Sequence, residues 1–185
     1  MSRLCDRMMS GAAAGLTATI PMTLVMVGIR AALPAEKQRR MPPREIVDRT
    51  VENARETTGG EPDLDRGDRT ALTAVAHLAF GAAAGAVYGA ATGRRGGSVL
   101  TGIAYGVSLW AAAYGVGLPS LGLHPAAQHD TKDRNEVLIA SHVVWGAALG
   151  IMTRATLFGS SVSKQRTEAP GNQADPRNGG NLARS

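Results

Sequence analysis

Residues 77–85 read HLAFGAAAG, and residues 142–150 read HVVWGAALG. One pattern, His-x-x-aromatic-Gly-Ala-Ala-x-Gly, is therefore written twice, with no charged residue in either copy. Four residues advance an α-helix by about 400°. His77, Gly81 and Gly85 thus lie along one slowly drifting ridge, and so do His142, Gly146 and Gly150. Glycines on such a ridge let two backbones approach closely. In lipid, where apolar side chains gain nothing by leaving the surrounding chains for one another, that approach is what joins helices.

The surroundings of both copies are as free of charge as the copies themselves. Residues 8–29, 70–93, 96–123 and 137–153 hold no Asp, Glu, Lys or Arg, although the chain has 20 Lys and Arg and 15 Asp and Glu. A soluble amphipathic helix carries charge on one face. Runs this clean match the roughly 17–25 apolar residues that cross a bilayer. We expect an all-α, integral membrane four-helix bundle, with spans at about 8–29, 70–93, 97–118 and 137–155. Residues 1–7 precede the bundle, which covers 8–158, and residues 159–185, rich in Ser, Gly, Asn and Pro, are expected to be disordered. The first span exceeds the apolar region of a secretory signal and reads as a retained helix. Ala and Gly make each span only weakly apolar, which suits helices that face one another; a soluble Gly/Ala-rich helical protein is the alternative.

Between spans one and two lies a polar loop, 30–69. Within it Ile46, Val47, Val51 and Ala54 share one face of a short helix opened by Pro42 and Pro43, an amphipathic element suited to a membrane surface. Only Gly93, Arg94, Arg95 and Gly96 separate spans two and three, which forces an antiparallel hairpin. Pro119 is expected to end or break span three. Basic residues at the helix ends (Arg3, Arg7, Arg94, Arg95, Arg154, Lys164, Arg166) compete with nine in the first loop and with Lys132 and Arg134 in the last. The basic residues of the first loop are dispersed among nine acidic ones. On that balance both termini are expected on the cytoplasmic side of a bacterial inner membrane.

Gly-x-x-x-Gly spacing occurs in every span: Gly11 and Gly15; Gly81, Gly85, Gly89 and Gly93; Gly102 and Gly106; Gly146 and Gly150. The ten are candidate helix-packing positions, and the two His-aromatic-Gly copies suggest a duplicated helical hairpin. Spans two and four then run in the same direction, so His77 and His142 stand at the same end of the bundle, with His124 and His129 in the loop above. His77, His142, Tyr88 and Trp145 form the candidate ligand or proton site. Three readings stay open: a register-fixing interhelical hydrogen bond, a proton-responsive or solute-pathway role, and axial ligation of haem or of a divalent metal helped by Asp130 and Glu136.

Other classes find little support. The net charge of +5 and pI of about 10.0 would suit nucleic acid, but aromatics are 4% of residues and none alternate with Arg as a base-stacking surface does. A single cysteine, Cys5, excludes an internal disulfide. No nucleophile elbow, zinc-protease motif or phosphate-cradling loop is present. The expectation is a non-enzymatic protein without an established cofactor, whose partners are the bilayer and a second copy of itself; a transporter or channel component is the competing class. The order of signals also resembles the YagU-like bacterial inner-membrane proteins. It comprises a Gly-rich first span, Leu33-Pro34 and Pro42-Pro43, His77 followed by Tyr88, Gly122-Leu123-His124-Pro125, and His142-Val143-Val144-Trp145. That resemblance implies four spans, cytoplasmic termini and no catalytic residues.

Overall fold

The structure is a computed structural model that describes residues 2–35, 42–58, 64–93, 97–123 and 129–168. Among the described residues every regular element is helical. Helix α1 runs Ser2–Ala32, α2 Pro42–Thr58, α3 Arg66–Thr92 and α4 Val99–Ser120; α5, the last, runs Lys132–Glu168. Four of them are long and apolar enough to cross a membrane: Arg3–Ala32, Arg66–Thr92, Val99–Ser120 and Lys132–Ala155. This is the signature of a multi-pass membrane protein.

Local sequence marks where the spans begin and end. Asp65 caps α3 by accepting from the Asp68 backbone N–H at 2.8 Å, while the Asp68 carboxylate accepts from the Asp65 N–H. Ser98 and Thr101 make the same reciprocal pair at the start of α4. Each pair satisfies two of the donors that a helix start leaves open. Gly93, expected on the packing ridge, instead ends α3 with φ at +59°. A left-handed residue terminates the helix, and only Gly enters that region without strain. Arg94, Arg95 and Gly96 lie outside the described residues.

Pro119 breaks the regular α geometry of α4, as one of the two expected outcomes, without stopping the helix at that point. A proline has no N–H and its ring crowds the carbonyl four residues back. The helix meets this by widening into a π-helical segment, Ala113–Gly117, in which the Leu118 N–H donates to the Ala113 carbonyl. It then continues through Leu118–Ser120. Gly122, with φ at +66°, closes it. The Leu123 N–H donates to Leu118 and the Gly122 N–H to Pro119, a C-terminal motif that recovers two orphan carbonyls. At the other end of the chain, α5 extends to Glu168, well into the segment expected to be structureless from 159; residues 169–185 lie outside the described residues.

The helices pack as two antiparallel pairs, α1 with α3 and α4 with α5, joined by α1 against α5. Backbones meet at glycines. A Cβ built on Gly85 would fall on the Gly11 carbonyl and 2.7 Å from the Gly15 Cα; one on Gly15 would fall on the Gly81 carbonyl. In the second pair, Gly102 faces the Gly146 carbonyl and Gly150 the Ser98 carbonyl. Gly89 stands against Arg7 and Gly106 against the His142 carbonyl. Small residues thus occupy the helix crossings, where Ala14 and Ala18 are buried; Leu138, Trp145 and Leu149 fill the interior beside them, while many further large apolar side chains face outward, Leu24, Val75, Leu100 and Val116 among them, all more than half exposed. An outer surface this rich in large apolar side chains suits helices surrounded by lipid.

Helix α2 lies on this bundle. Val47 and Val51 are buried, so the apolar face expected for a membrane surface is turned largely onto protein, with α3 as its neighbour. Ion pairs fix it on two sides. Asp48 accepts from Arg69 of α3 at 3.3 Å, and Glu45 accepts from Arg134 of α5 at 2.7 Å.

Candidate functional site

Beneath α2, at the histidine end of the bundle, is a cavity of about 270 Å³. Every helix contributes to its wall: Met22 and Met26 from α1, Ile46 and Val47 from α2, Thr73, His77 and Phe80 from α3, Leu109 and Tyr114 from α4, and Leu138, His142 and Trp145 from α5. Three of the four candidate site residues, His77, His142 and Trp145, therefore line one space. Helical geometry explains it. Both α3 and α5 run antiparallel to α1, and each histidine stands one turn before the glycine that brings its helix against a neighbour.

Four polar side chains of the wall, Thr19, Thr73, His142 and Trp145, are committed to backbone. Thr19 Oγ1 donates to the Gly15 carbonyl at 2.9 Å, and Thr73 Oγ1 donates to Arg69 at 2.7 Å. The Trp145 indole N–H donates across the bundle to Gly15 at 3.1 Å, which orients the ring as the cavity floor. His142, 6% exposed, places Nδ1 2.8 Å from the Leu138 carbonyl. A carbonyl only accepts, so Nδ1 carries the hydrogen and Nε2 of the neutral ring is an acceptor. Nε2 has no hydrogen-bond partner among the described residues, and neither ring nitrogen of His77 has one. Tyr114 sits in the π-helical segment and meets the His142 ring edge-on, with centroids 6.2 Å apart.

Tyr88 is elsewhere. Eleven residues along α3 from His77 carry it about 16 Å away, below the Trp145 floor. There its hydroxyl pairs with Thr101 at 2.9 Å, and its ring lies 5.2 Å from Tyr105. Tyr105 in turn lies 6.1 Å from Trp145 and donates to the Ala84 carbonyl at 2.9 Å, bridging α4 to α3. The three rings form a packed ladder under the cavity.

Above the cavity is a charged layer that sequence reasoning did not assemble. Arg134, 10% exposed, pairs with Asp130 at 3.3 Å as well as with Glu45, and the Asp130 side chain is 7% exposed. The residues considered for a metal shell are engaged in this layer or at its edge: Asp130 by Arg134, and Glu136 by Lys132 at 4.0 Å. Among the described residues no three His, Cys, Asp or Glu side chains converge on a point. His129 is exposed in the segment before α5, and His124 lies outside the described residues.

No family model, no curated protein and no solved structure matches the chain.

Proposed function

We propose that this is a small, non-enzymatic integral protein of the bacterial inner membrane that holds a small, mainly apolar molecule in the cavity between His77, His142 and Trp145. The observation that carries the reading is the cavity itself, walled by apolar side chains from all five helices and furnished with two imidazoles that the protein leaves open. Ligand sites have this make-up, a concave apolar wall with a few placed polar groups. Glycine contacts in both helix pairs support Gly-x-x-x-Gly packing as the force that joins the bundle. The matched pairs, with His77 and His142 at corresponding places, support a duplicated hairpin. The YagU-like resemblance agrees with cytoplasmic termini.

The test uses Trp145 as reporter. In Trp110→Phe protein, Trp145 is the one remaining tryptophan. In nanodiscs, bromocymene is expected to quench it along a saturable curve that unbrominated cymene competes away. A purely linear, uncompeted quench, as partition into lipid would give, overturns the reading. The π-helical segment of α4 beside the cavity favours a second reading, a path for a solute; it predicts flux into proteoliposomes that is lost in a cavity-filling variant.

Orientation has its own check. Cys5 is the sole cysteine and is exposed at the head of α1. An impermeant maleimide is expected to label it in inverted vesicles and not in right-side-out ones. The opposite pattern reverses the topology.

A further inference from the structure

The proposed cavity leaves unsatisfied a definite pair of polar groups, and that pair selects a ligand class. Resting on the ligand-binding reading above, we propose that the occupant is an apolar molecule of about ten carbons bearing one hydroxyl group, a phenol or an alcohol, whose O–H donates to His142 Nε2.

Size comes first. An engineered cavity of about 150 Å³ accepts benzene, so about 270 Å³, not quite twice that, admits a benzene ring with several further heavy atoms. Next comes polarity. Thr19, Thr73 and Trp145 already donate to backbone carbonyls and direct no hydrogen at the cavity, and Tyr114, which meets the His142 ring edge-on, has an interaction of its own. His142 Nδ1 is spent on Leu138, which fixes Nε2 as an acceptor with no described partner. An apolar occupant that shuts water away from this acceptor and offers no hydrogen in exchange costs about 1–3 kcal/mol, so an occupant that brings a hydrogen is selected over one that does not. His77, in the same wall and without a described hydrogen-bond partner, offers a ring N–H to the oxygen. A hydroxyl is the smallest group that gives one hydrogen and accepts another. A carboxylate or an ether brings no hydrogen to Nε2, and an ammonium cannot accept from His77.

Three probes on one carbon frame, which carry O–H, O–CH3 or H at one ring position and so bracket the phenol in size, separate this claim from the one beneath it: bromothymol, its methyl ether and bromocymene. Binding is read by saturable quenching of Trp145 in full-length Trp110→Phe protein in nanodiscs. Bromothymol is expected to bind about tenfold more tightly than either of the others, the worth of one hydrogen bond. His142→Phe keeps the bulk and removes the acceptor, so it levels the three affinities; His142→Gln restores an acceptor and part of the preference. Equal affinities for all three probes in the unmodified His142 protein overturn the hydroxyl assignment and leave the cavity reading standing. Saturable binding of none of them overturns both. A preference that survives in folded His142→Phe protein shows that another group reads the hydroxyl and overturns the assignment to His142.

Discussion

Gly85→Val is expected to cost the bundle about 3 kcal/mol, enough to deplete the folded protein. Overpacking a core commonly costs about 1–3 kcal/mol, because side chains shift to make room. At Gly85 the obstacles are backbone: the Gly11 carbonyl on one side and the Gly15 Cα, 2.7 Å away, on the other. No rotamer relieves that, and α1 and α3 must separate along their whole contact. The control is Gly28→Val, at a position where an added Cβ meets nothing within 4 Å; a surface change of that kind stays within about 0.5 kcal/mol. Unfolding by steric trapping in bicelles measures both. Equal stabilities for the two variants would mean that the helices are not held together at their glycines.

Arg134→Met is the second large effect. The arginine joins Asp130 and Glu45, and removing it leaves the Asp130 carboxylate, 7% exposed, among groups arranged for a cation. Breaking a buried pair from one side costs about 3 kcal/mol or more; here Glu45, 29% exposed, recovers part of its loss from solvent. Helix α2 also loses its tie to α5 and keeps the tie to α3 through Asp48 and Arg69. Hydrogen exchange is expected to quicken over Pro42–Thr58 while the α1–α3 contact remains protected. Glu45→Gln, which keeps a hydrogen-bond acceptor and leaves the Arg134–Asp130 pair whole, is expected to loosen α2 less. Unchanged exchange across α2 in Arg134→Met would remove the clamp from the account.

Much of this architecture was legible in the chain. Absence of charge marked four spans, because a bilayer penalises charge at any face of a helix whereas water penalises none. The His-x-x-aromatic-Gly copies put His77 and His142 on corresponding ridges, and antiparallel neighbours then bring them to one end. Where the reading departed from the fold, the cause was tertiary. The sequence pattern groups Tyr88 with the histidines, although about three turns of helix part it from His77. Gly93 shares the four-residue spacing yet serves as a cap, since spacing alone does not say where a helix stops. The pairing of Arg134 with Glu45 spans 89 residues and has no local signature. The π-helical segment that brings Tyr114 to the cavity answers to Pro119, a residue that by local rules should have ended the helix.

Every functional reading of this protein needs space between the helices at the histidine end. Ala113 lines that space from the π-helical segment, and Ala113→Leu puts three further carbons into it. Thermal melting of this variant in nanodiscs tests for that space directly. A real cavity predicts a melting temperature equal to or above that of the unmodified protein, together with loss of saturable Trp145 quenching, since the added atoms fill a void. A clear fall in melting temperature, as overpacking of a filled core produces, would contradict it.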